Sequence, residues 1–249
     1  MVSISELHAS LSIDPTTEYQ CYGTIDLFDS PELERLATQA VAGRQLRILS
    51  LPLTIGGTIG DRAILISLCE DGYPAWMPLE CVDLIEVSEL PYRAVTLSES
   101  QLRDRLLGAI AYAMAAMKHP NRYLWGGTVG PNYDCSGLVQ TAFASAGVWL
   151  PRDSYQQEAF TSPISQHDLQ PGDLVFFGTP QRTTHVGIHL GEQRYIHSSG
   201  RDQGRNGIAI DILSEHADTV SAAYYRQFRR GGRILKSYHP QPCQYSNKL

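Results

Sequence analysis

The pattern of hydrophobic and polar positions changes near residue 90. Before it, short apolar runs alternate with turn signals, a pattern typical of a small β-barrel. The runs are CYGTIDLF, RQLRILSLP, AILISLC, AWMPLE and VDLIEV. The turn signals are Asp29-Ser-Pro31, Gly56-Gly57, Gly60-Asp61 and Asp71-Gly72. We therefore predict a β domain with an N-terminal extension over residues 1–90, followed by a linker over residues 91–100.

Beyond the linker, apolar positions first recur at helical spacing. Ser98 and Gln101 give a capping-box signal, and His119-Pro120 marks the end of the helix. The apolar stripe between them consists of Leu102, Leu106, Ile110, Ala113 and Met117. Strand-like runs such as PGDLVFFG and THVGIHL follow later in the chain. Helices first and an antiparallel sheet afterwards predict an α+β domain over residues 101–249.

Cys135 lies where a glycine-rich loop is predicted to pass into a helix. The loop contains Gly126, Gly127 and Gly130, and apolar residues at helical spacing follow it. Asp134 is a suitable N-cap, which places Cys135 in the first helical turn. The free amides and the dipole there favour a thiolate, which is the nucleophilic form of cysteine. A cysteine at a helix start is also a common packing residue, so its partners decide between the two interpretations.

Two later strands carry histidines that are candidate partners. In THVGIHL, alternation places His185 and His189 on the face opposite Val186. In RYIHSSG it places His197 opposite Ile196. If the strands pair, His185 is the predicted base for Cys135 and His197 the group that orients it. His185 and His189 are about 13 Å apart along a strand, so only one of them can reach the thiol.

Six segments of this chain resemble the NlpC-type papain-like cysteine peptidases, which cleave peptides of the bacterial cell wall. They are Tyr123-Leu-Trp-Gly-Gly127, Asp134-Cys-Ser-Gly137, Leu150-Pro-Arg-Asp-Ser154, Pro171-Gly-Asp-Leu174, His185-Val-Gly-Ile188 and Tyr195-Ile-His-Ser198. They occur in the family's order within roughly residues 100–236. The resemblance implies a papain-like fold with Cys135, His185 and His197 as the catalytic set. More loosely, residues 20–88 resemble a bacterial SH3-like barrel, with Trp76 expected in its core.

The resemblance also implies a substrate, because family members commonly hydrolyse the bond between γ-D-glutamate and a diamino acid such as meso-diaminopimelate. We expect murein peptides with a free N-terminal L-alanine, as in cell-wall recycling. Asp134 is a candidate for binding the amine of that alanine, and a plain helix cap is the alternative. Ser136 is its hydrogen-bonding neighbour. Tyr73 and Tyr123 are further candidate substrate contacts, with surface and packing roles as the alternatives. For Arg152 we favour a surface ion pair, with a contact to a substrate carboxylate as the alternative.

Composition narrows the choice of partners and compartment. The net charge of −6 argues against nucleic acid or an anionic membrane as the main partner. Arg226, Arg229, Arg230 and Arg233 form a basic run that we expect at a solvated strand or loop edge. Five cysteines without CxxC spacing argue against a disulfide framework and a zinc site, so we expect no cofactor or metal. The first residues lack the pattern of a secretory signal, which favours the cytoplasm. The sequence does not determine the oligomeric state.

Three functions remain open after this reading. The first is a cysteine peptidase of murein peptides, acting either in recycling or, as a remodelling endopeptidase, on intact wall. The second is an amidase or acyltransferase on the same framework, since other nucleophiles can take a thioester. The third is a wall-binding protein with a passive second domain, which the intact Cys135, His185 and His197 set argues against.

Overall fold

The computed structural model describes residues 4–52, 54–55, 58–59 and 62–240. The turn signals Gly56-Gly57 and Gly60-Asp61 and the thiol of Cys243 lie outside the described residues. The chain divides into two compact units, the first running to Ala94 and the second spanning Val95–Tyr238. His239 and Pro240 belong to the first unit.

In the described part of the first unit, an α-helix precedes an antiparallel β structure. Its elements are α1 (Ile4–Ile13), β1 (Glu18–Cys21), β2 (Ile25–Phe28), β3 (Leu36–Ala40), β4 (Gln45–Ser50), β5 (Thr54–Ile55), β6 (Thr58–Ile59), β7 (Ala63–Leu68), β8 (Pro74–Pro78) and β9 (Ile85–Val87). Seven strands form one sheet in the order β3-β2-β8-β7-β4-β1-β9, and β5 pairs with β6. Each of the five predicted runs contains an observed strand, whereas α1, β1, β3, β5 and β6 were not predicted.

The prediction that Trp76 lies in the core of this unit is wrong. Strand β8 alternates, and its neighbours Ala75 and Met77 are the residues that join the apolar core. Trp76 is half-buried on the other face, opposite Leu65 and Phe28 on the adjacent strands. Because successive side chains point to opposite faces of a strand, Trp76 cannot share the core with both of its neighbours.

The second unit has the predicted α+β composition. Its elements are α2 (Glu99–Met117), β10 (Thr128–Val129), β11 (Asn132–Tyr133), α3 (Cys135–Ser145), α4 (Ser154–Phe160), β12 (Ser162–Ile164), β13 (Leu174–Gly178), β14 (Thr183–Gly191), β15 (Arg194–Ser199), β16 (Gly207–Ile212), α5 (Thr219–Tyr225) and β17 (Phe228–Arg233). The capping box of Ser98 and Gln101 begins α2, as predicted.

A six-stranded antiparallel sheet supports the second unit. Its order is β12-β17-β13-β14-β15-β16, and the pairings between neighbours are antiparallel. One face packs against α2 and α3, where Leu138, Phe143, Val186 and Ile196 form part of a fully buried core. The opposite face of β14 and β15 is thereby left for the histidines, as the alternation predicts.

Arg226 of the basic run is exposed at the end of α5, as expected, but the other three arginines do not lie at a sheet edge, which corrects the expectation for them. Strand β17 is an inner strand between β12 and β13. Its arginines are half-buried, and they pair with acidic groups of neighbouring segments: Arg229 and Arg230 with Glu158, and Arg233 with Asp173. None of the helices in the described part of the chain is both long and apolar enough to span a bilayer.

Candidate active site

Cys135 is the first residue of α3 and is buried, with 6% of its surface exposed. Asp134 caps this helix, as predicted, by accepting the backbone N–H of Gly137 at 2.6 Å. Gly137 is needed because a Cβ there would lie 2.0 Å from the carbonyl oxygen of Gly127. The glycine-rich loop therefore packs directly on the helix start and fixes the position of the thiol.

Asp134 forms a buried ion pair that the sequence analysis did not identify. Its carboxylate accepts hydrogen bonds from both terminal nitrogens of Arg152, at 3.1 Å and 2.6 Å. It also accepts one from the backbone N–H of Gly126, at 2.9 Å. The Ser136 hydroxyl donates to it at 3.2 Å and accepts from Arg152 at 2.9 Å. Arg152 is 1% exposed, so its interpretation as a surface residue is wrong. The polar groups of Asp134 and Ser136 bond within the protein, and their substrate contacts stay predictions.

The structure brings His185 and His197 into direct contact. His185 Nε2 lies 2.7 Å from His197 Nδ1, and both rings are buried. The two residues are diagonal neighbours on β14 and β15, because Ile188 pairs with Ile196. By the same register, Gly187 of β14 lies directly opposite His197. A Cβ at Gly187 would lie 3.2 Å from the Cβ of His197. The missing side chain at Gly187 lets the two imidazoles meet.

The His197 ring is held on its other side by Asp211 of β16, which the sequence analysis missed. His197 Nε2 lies 3.0 Å from Asp211 Oδ2, and Asp211 is 1% exposed. The other carboxylate oxygen of Asp211 accepts Nε of Arg205 at 2.9 Å. The strand GIAIDI did hold a signal, because one acidic residue among isoleucines implies a buried carboxylate that needs partners.

Aromatic residues close the face on which the two histidines lie. The Tyr224 ring of α5 stacks on His185 with centroids 4.6 Å apart and meets His197 edge-on at 5.0 Å. The ring centroids of Phe177 and His185 are 5.8 Å apart, and those of Tyr195 and His197 are 4.9 Å apart. This enclosure removes water from the imidazoles and restricts their rotation.

Burial favours the neutral forms of both the thiol and the base, contrary to the expected thiolate. Burial raises the pKa of Cys135 to about 12, although backbone N–H groups of Val186 and Ser136 hydrogen-bond to the sulfur and lower it. Burial and then the neighbouring His197 hold the pKa of His185 well below its usual value. Desolvation thus outweighs the helix start, and both the thiol and the imidazole are neutral at rest.

The structure places the remaining predicted residues as follows. Tyr123 lies close enough to Cys135 and Asp134 for both to raise its pKa, after the larger effect of burial. Tyr73 belongs to the first unit, where it packs on the apolar core, and its substrate contact stays a prediction. His189 lies opposite Tyr195, four residues along β14 from His185. Among the described residues, no three or more His, Cys, Asp or Glu are grouped as a metal site requires.

Two segments of the chain match known protein families. Residues 120–230 match the NlpC/P60 family, and residues 27–81 match the bacterial dipeptidyl-peptidase Sh3 domain. The papain-like fold and the SH3-like domain that the resemblance implies are thereby confirmed. Among solved structures, an NlpC/P60 family protein from Bacillus cereus ATCC 10987 is 21% identical, with a TM-score of 0.44. That alignment covers 91% of this chain and 66% of the other.

Curated relatives are similar to part of this chain. The probable endopeptidase p60 of Listeria seeligeri is 39% identical over 39% of this chain and 18% of its own. The bifunctional muramidase/DL-endopeptidase CwlT of Bacillus subtilis is 44% identical over 34% of this chain and 27% of its own. The murein DD-endopeptidase MepS/murein LD-carboxypeptidase of Escherichia coli K12 is 36% identical over 38% of this chain and 48% of its own. This chain thus spans less than half the length of each of these relatives. By the two family matches, it carries an NlpC/P60 domain over residues 120–230, with a bacterial SH3 domain over residues 27–81 before it.

Proposed function

We propose that this protein is a cysteine peptidase that hydrolyses the bond between γ-D-glutamate and a diamino acid such as meso-diaminopimelate in murein peptides. The observation that carries the proposal is the position of Cys135. Its sulfur accepts the backbone N–H of Val186, the residue after His185, and His185 in turn contacts His197 at 2.7 Å. A buried thiol beside an oriented imidazole is the arrangement that nucleophilic acyl transfer needs. We assign this chemistry to the predicted domain over residues 101–249.

The proposed reaction proceeds in two acyl transfers. His185 takes the proton of the Cys135 thiol as the sulfur attacks the carbonyl carbon of the γ-glutamyl group. The same imidazole then gives this proton to the departing amine of the diamino acid, leaving a thioester. Water, deprotonated by His185, adds to the thioester, and collapse of the adduct releases the γ-carboxylic acid as His185 returns its proton to sulfur. The acid then loses its proton to solvent. His197 holds the imidazole through both steps, and no cofactor enters them.

Tyr123 is the proposed donor to the oxyanion of the tetrahedral intermediates. Burial, Cys135 and Asp134 all raise its pKa, so the phenol keeps its proton at neutral pH. A neutral hydroxyl near the sulfur can donate a hydrogen bond as negative charge develops on the carbonyl oxygen. Tyr123→Phe should therefore lower kcat more than it raises KM.

The choice of bond within the peptide is supported by one of the relatives. CwlT is named a DL-endopeptidase, and the bond from D-glutamate to the L-centre of meso-diaminopimelate has this configuration. MepS is named for DD- and LD-bonds, so the family as a whole does not fix the bond. We favour the DL-bond because CwlT shares 44% identity with this chain, against 36% for MepS.

A free N-terminal L-alanine and a role in recycling form the finer part of the proposal. Asp134 is the nearest acidic residue in sequence to the nucleophile, but its charge is shared with Arg152. An ammonium group would therefore have to join or displace the Arg152 contact. The cytoplasm is the proposed compartment, since Cys21, Cys69 and Cys81 are free thiols, as is usual in reducing surroundings. Fractionation of cells that produce the protein tests this location.

The test uses three substrates and a product mass measurement. We expect L-Ala-γ-D-Glu-meso-diaminopimelate to give L-Ala-γ-D-Glu and free diaminopimelate, and Cys135→Ala to give neither. Cys69→Ala, which removes another buried thiol, is the matched control and should keep the activity. An N-acetylated peptide and intact peptidoglycan are the second and third substrates.

Cleavage of all three substrates at similar rates would replace recycling by wall remodelling as the proposed role. Transfer to an added amine in place of hydrolysis would indicate an acyltransferase, and activity in Cys135→Ala would refute the mechanism.

A further inference from the structure

Asp211 and Arg205 lie beyond His197, on the side of its ring opposite His185, and continue the chain of hydrogen bonds. Asp211 is buried in β16, accepting from His197 through one oxygen and from Arg205 through the other. Arg205 also contacts both carboxylate oxygens of Asp218, at 2.9 Å and 3.0 Å. Asp218 in turn caps α5, the helix that carries Tyr224. The guanidinium is thus fixed between two carboxylates.

This set determines where the protons of the histidines lie. Burial acts to raise the pKa of Asp211, but hydrogen bonds from His197 and Arg205 hold it below the usual value, so the carboxylate is ionised. An ionised carboxylate only accepts, so His197 Nε2 must carry a proton. In a neutral His197, Nδ1 is then an acceptor, and its partner at 2.7 Å, His185 Nε2, must be protonated. That leaves His185 Nδ1 as the nitrogen whose lone pair can take a proton from the thiol.

This arrangement of protons exists only while His197 stays neutral. Burial lowers the pKa of His197, the bond to Asp211 raises it, and the positive charge of Arg205 lowers it again. The other titratable side chains in ring contact with the imidazoles are those of Tyr195 and Tyr224, and burial raises the pKa values of both. These groups are neutral at physiological pH. The charge balance around His197 therefore rests on Asp211, Arg205 and, through Arg205, Asp218.

We propose that Asp211 and Arg205 act together as positioning residues: Asp211 fixes the tautomers of His197 and His185, and Arg205 offsets the carboxylate charge so that His197 stays neutral. Without Arg205, the uncompensated carboxylate favours a second proton on His197. A doubly protonated His197 would donate from Nδ1 to His185 Nε2, and the remaining proton of His185 would move to Nδ1. His185 could then no longer accept the thiol proton. The role of this pair in turnover rests on the proposed peptidase function.

Nitrogen-15 spectra of the histidine side chains test the tautomers in the wild-type protein without substrate. Variants His185→Gln and His197→Gln assign the two sets of signals among the eight histidines. We expect protonated Nε2 and unprotonated Nδ1 on both rings at pH 7.5. A protonated Nδ1 on either ring would overturn the proposal. If murein peptides are not cleaved, the proposed function fails, whereas the tautomers still stand or fall on these spectra.

The pH dependence of kcat/KM tests the role of Arg205. Arg205→Gln should move the acid limb to higher pH by about one unit, as expected on loss of a neighbouring charge, with the rate recovering at alkaline pH. Asp211→Asn should lose about a hundredfold or more in kcat at every pH, because an amide cannot accept from both His197 and Arg205. Arg201→Gln removes an exposed arginine nearby and is the matched control. An unshifted limb in Arg205→Gln, or one moved equally by Arg201→Gln, would refute the proposal.

Discussion

Arg152 forms a two-point ion pair with Asp134, the residue immediately before Cys135, and the guanidinium is almost completely buried. The pair joins the start of α3 to the segment before α4, two elements that approach each other at the glycine-rich loop. The Arg152 guanidinium also donates to Ser136, so it contacts the residues on both sides of the nucleophile. The position of the thiol is therefore coupled to an electrostatic interaction outside the catalytic set.

Replacing Arg152 by methionine should destabilise the protein strongly. The change leaves the Asp134 carboxylate buried without its cation, at a cost of about 3–5 kcal/mol in the free energy of unfolding. Arg103→Met is the matched control, because Arg103 pairs with Glu99 on the exposed surface of α2. That pair should contribute no more than about 0.5 kcal/mol. Chemical denaturation of both variants gives the comparison, and equal losses would show that the buried pair has no special weight.

Gly187 offers a test of the contact between the two catalytic histidines. A Cβ there would lie 2.8 Å from Cδ2 of Tyr195 and 3.0 Å from the carbonyl oxygen of Ile196. Gly187→Ala should therefore push β15 and His197 away from His185, costing about 1–3 kcal/mol of stability and lowering kcat. Gly108→Ala, on the exposed side of α2, has an ordinary 3.4 Å contact and should be neutral or stabilising. Full activity of Gly187→Ala would refute this account of the strand pairing.

The two histidines of β14 should respond differently to substitution. His185→Ala removes the proposed base, and we expect kcat to fall by about 10²–10⁴-fold. His189→Ala should mainly affect stability, since this side chain lies beside Tyr195, away from His197. Steady-state kinetics and thermal unfolding of both variants separate the effects. A larger loss of turnover in His189→Ala would mean that the assignment of the base is wrong.

Local patterns in the sequence predicted most of what surrounds the nucleophile. The cap at Asp134 and the alternation of β14 and β15 depend on neighbouring residues, so they could be read without knowledge of the fold. The contact between His185 and His197 followed from one assumption, that the two strands pair. The start of α2 at Ser98 was equally local.

The parts that were missed depend on contacts between distant segments. Asp211 reaches His197 only because β16 pairs with β15, and Arg152 reaches Asp134 across 18 positions of the chain. Trp76 was misplaced because its role was taken from a general resemblance, whereas the phase of β8 determines its face. The protonation state of the Cys135 thiol likewise depends on more than local sequence. The helix start was considered without the desolvation that accompanies burial of Cys135, and this cost depends on the packed structure.

The thiol of the resting protein should therefore react slowly with alkylating agents at neutral pH. Because burial raises the pKa of Cys135 to about 12, its thiolate fraction is small at pH 7 and increases as the pH rises. His185, whose pKa lies well below its usual value, stays neutral and does not stabilise a thiolate as an ion pair would. Alkylation of Cys135 by iodoacetamide, followed by peptide mass measurement, should accelerate continuously from pH 6 to pH 9. The labelling of Cys81 in the same samples serves as the internal control. A fast, pH-independent reaction of Cys135 between pH 5 and pH 7 would instead demonstrate a preformed thiolate–imidazolium pair, and would contradict the neutral resting state.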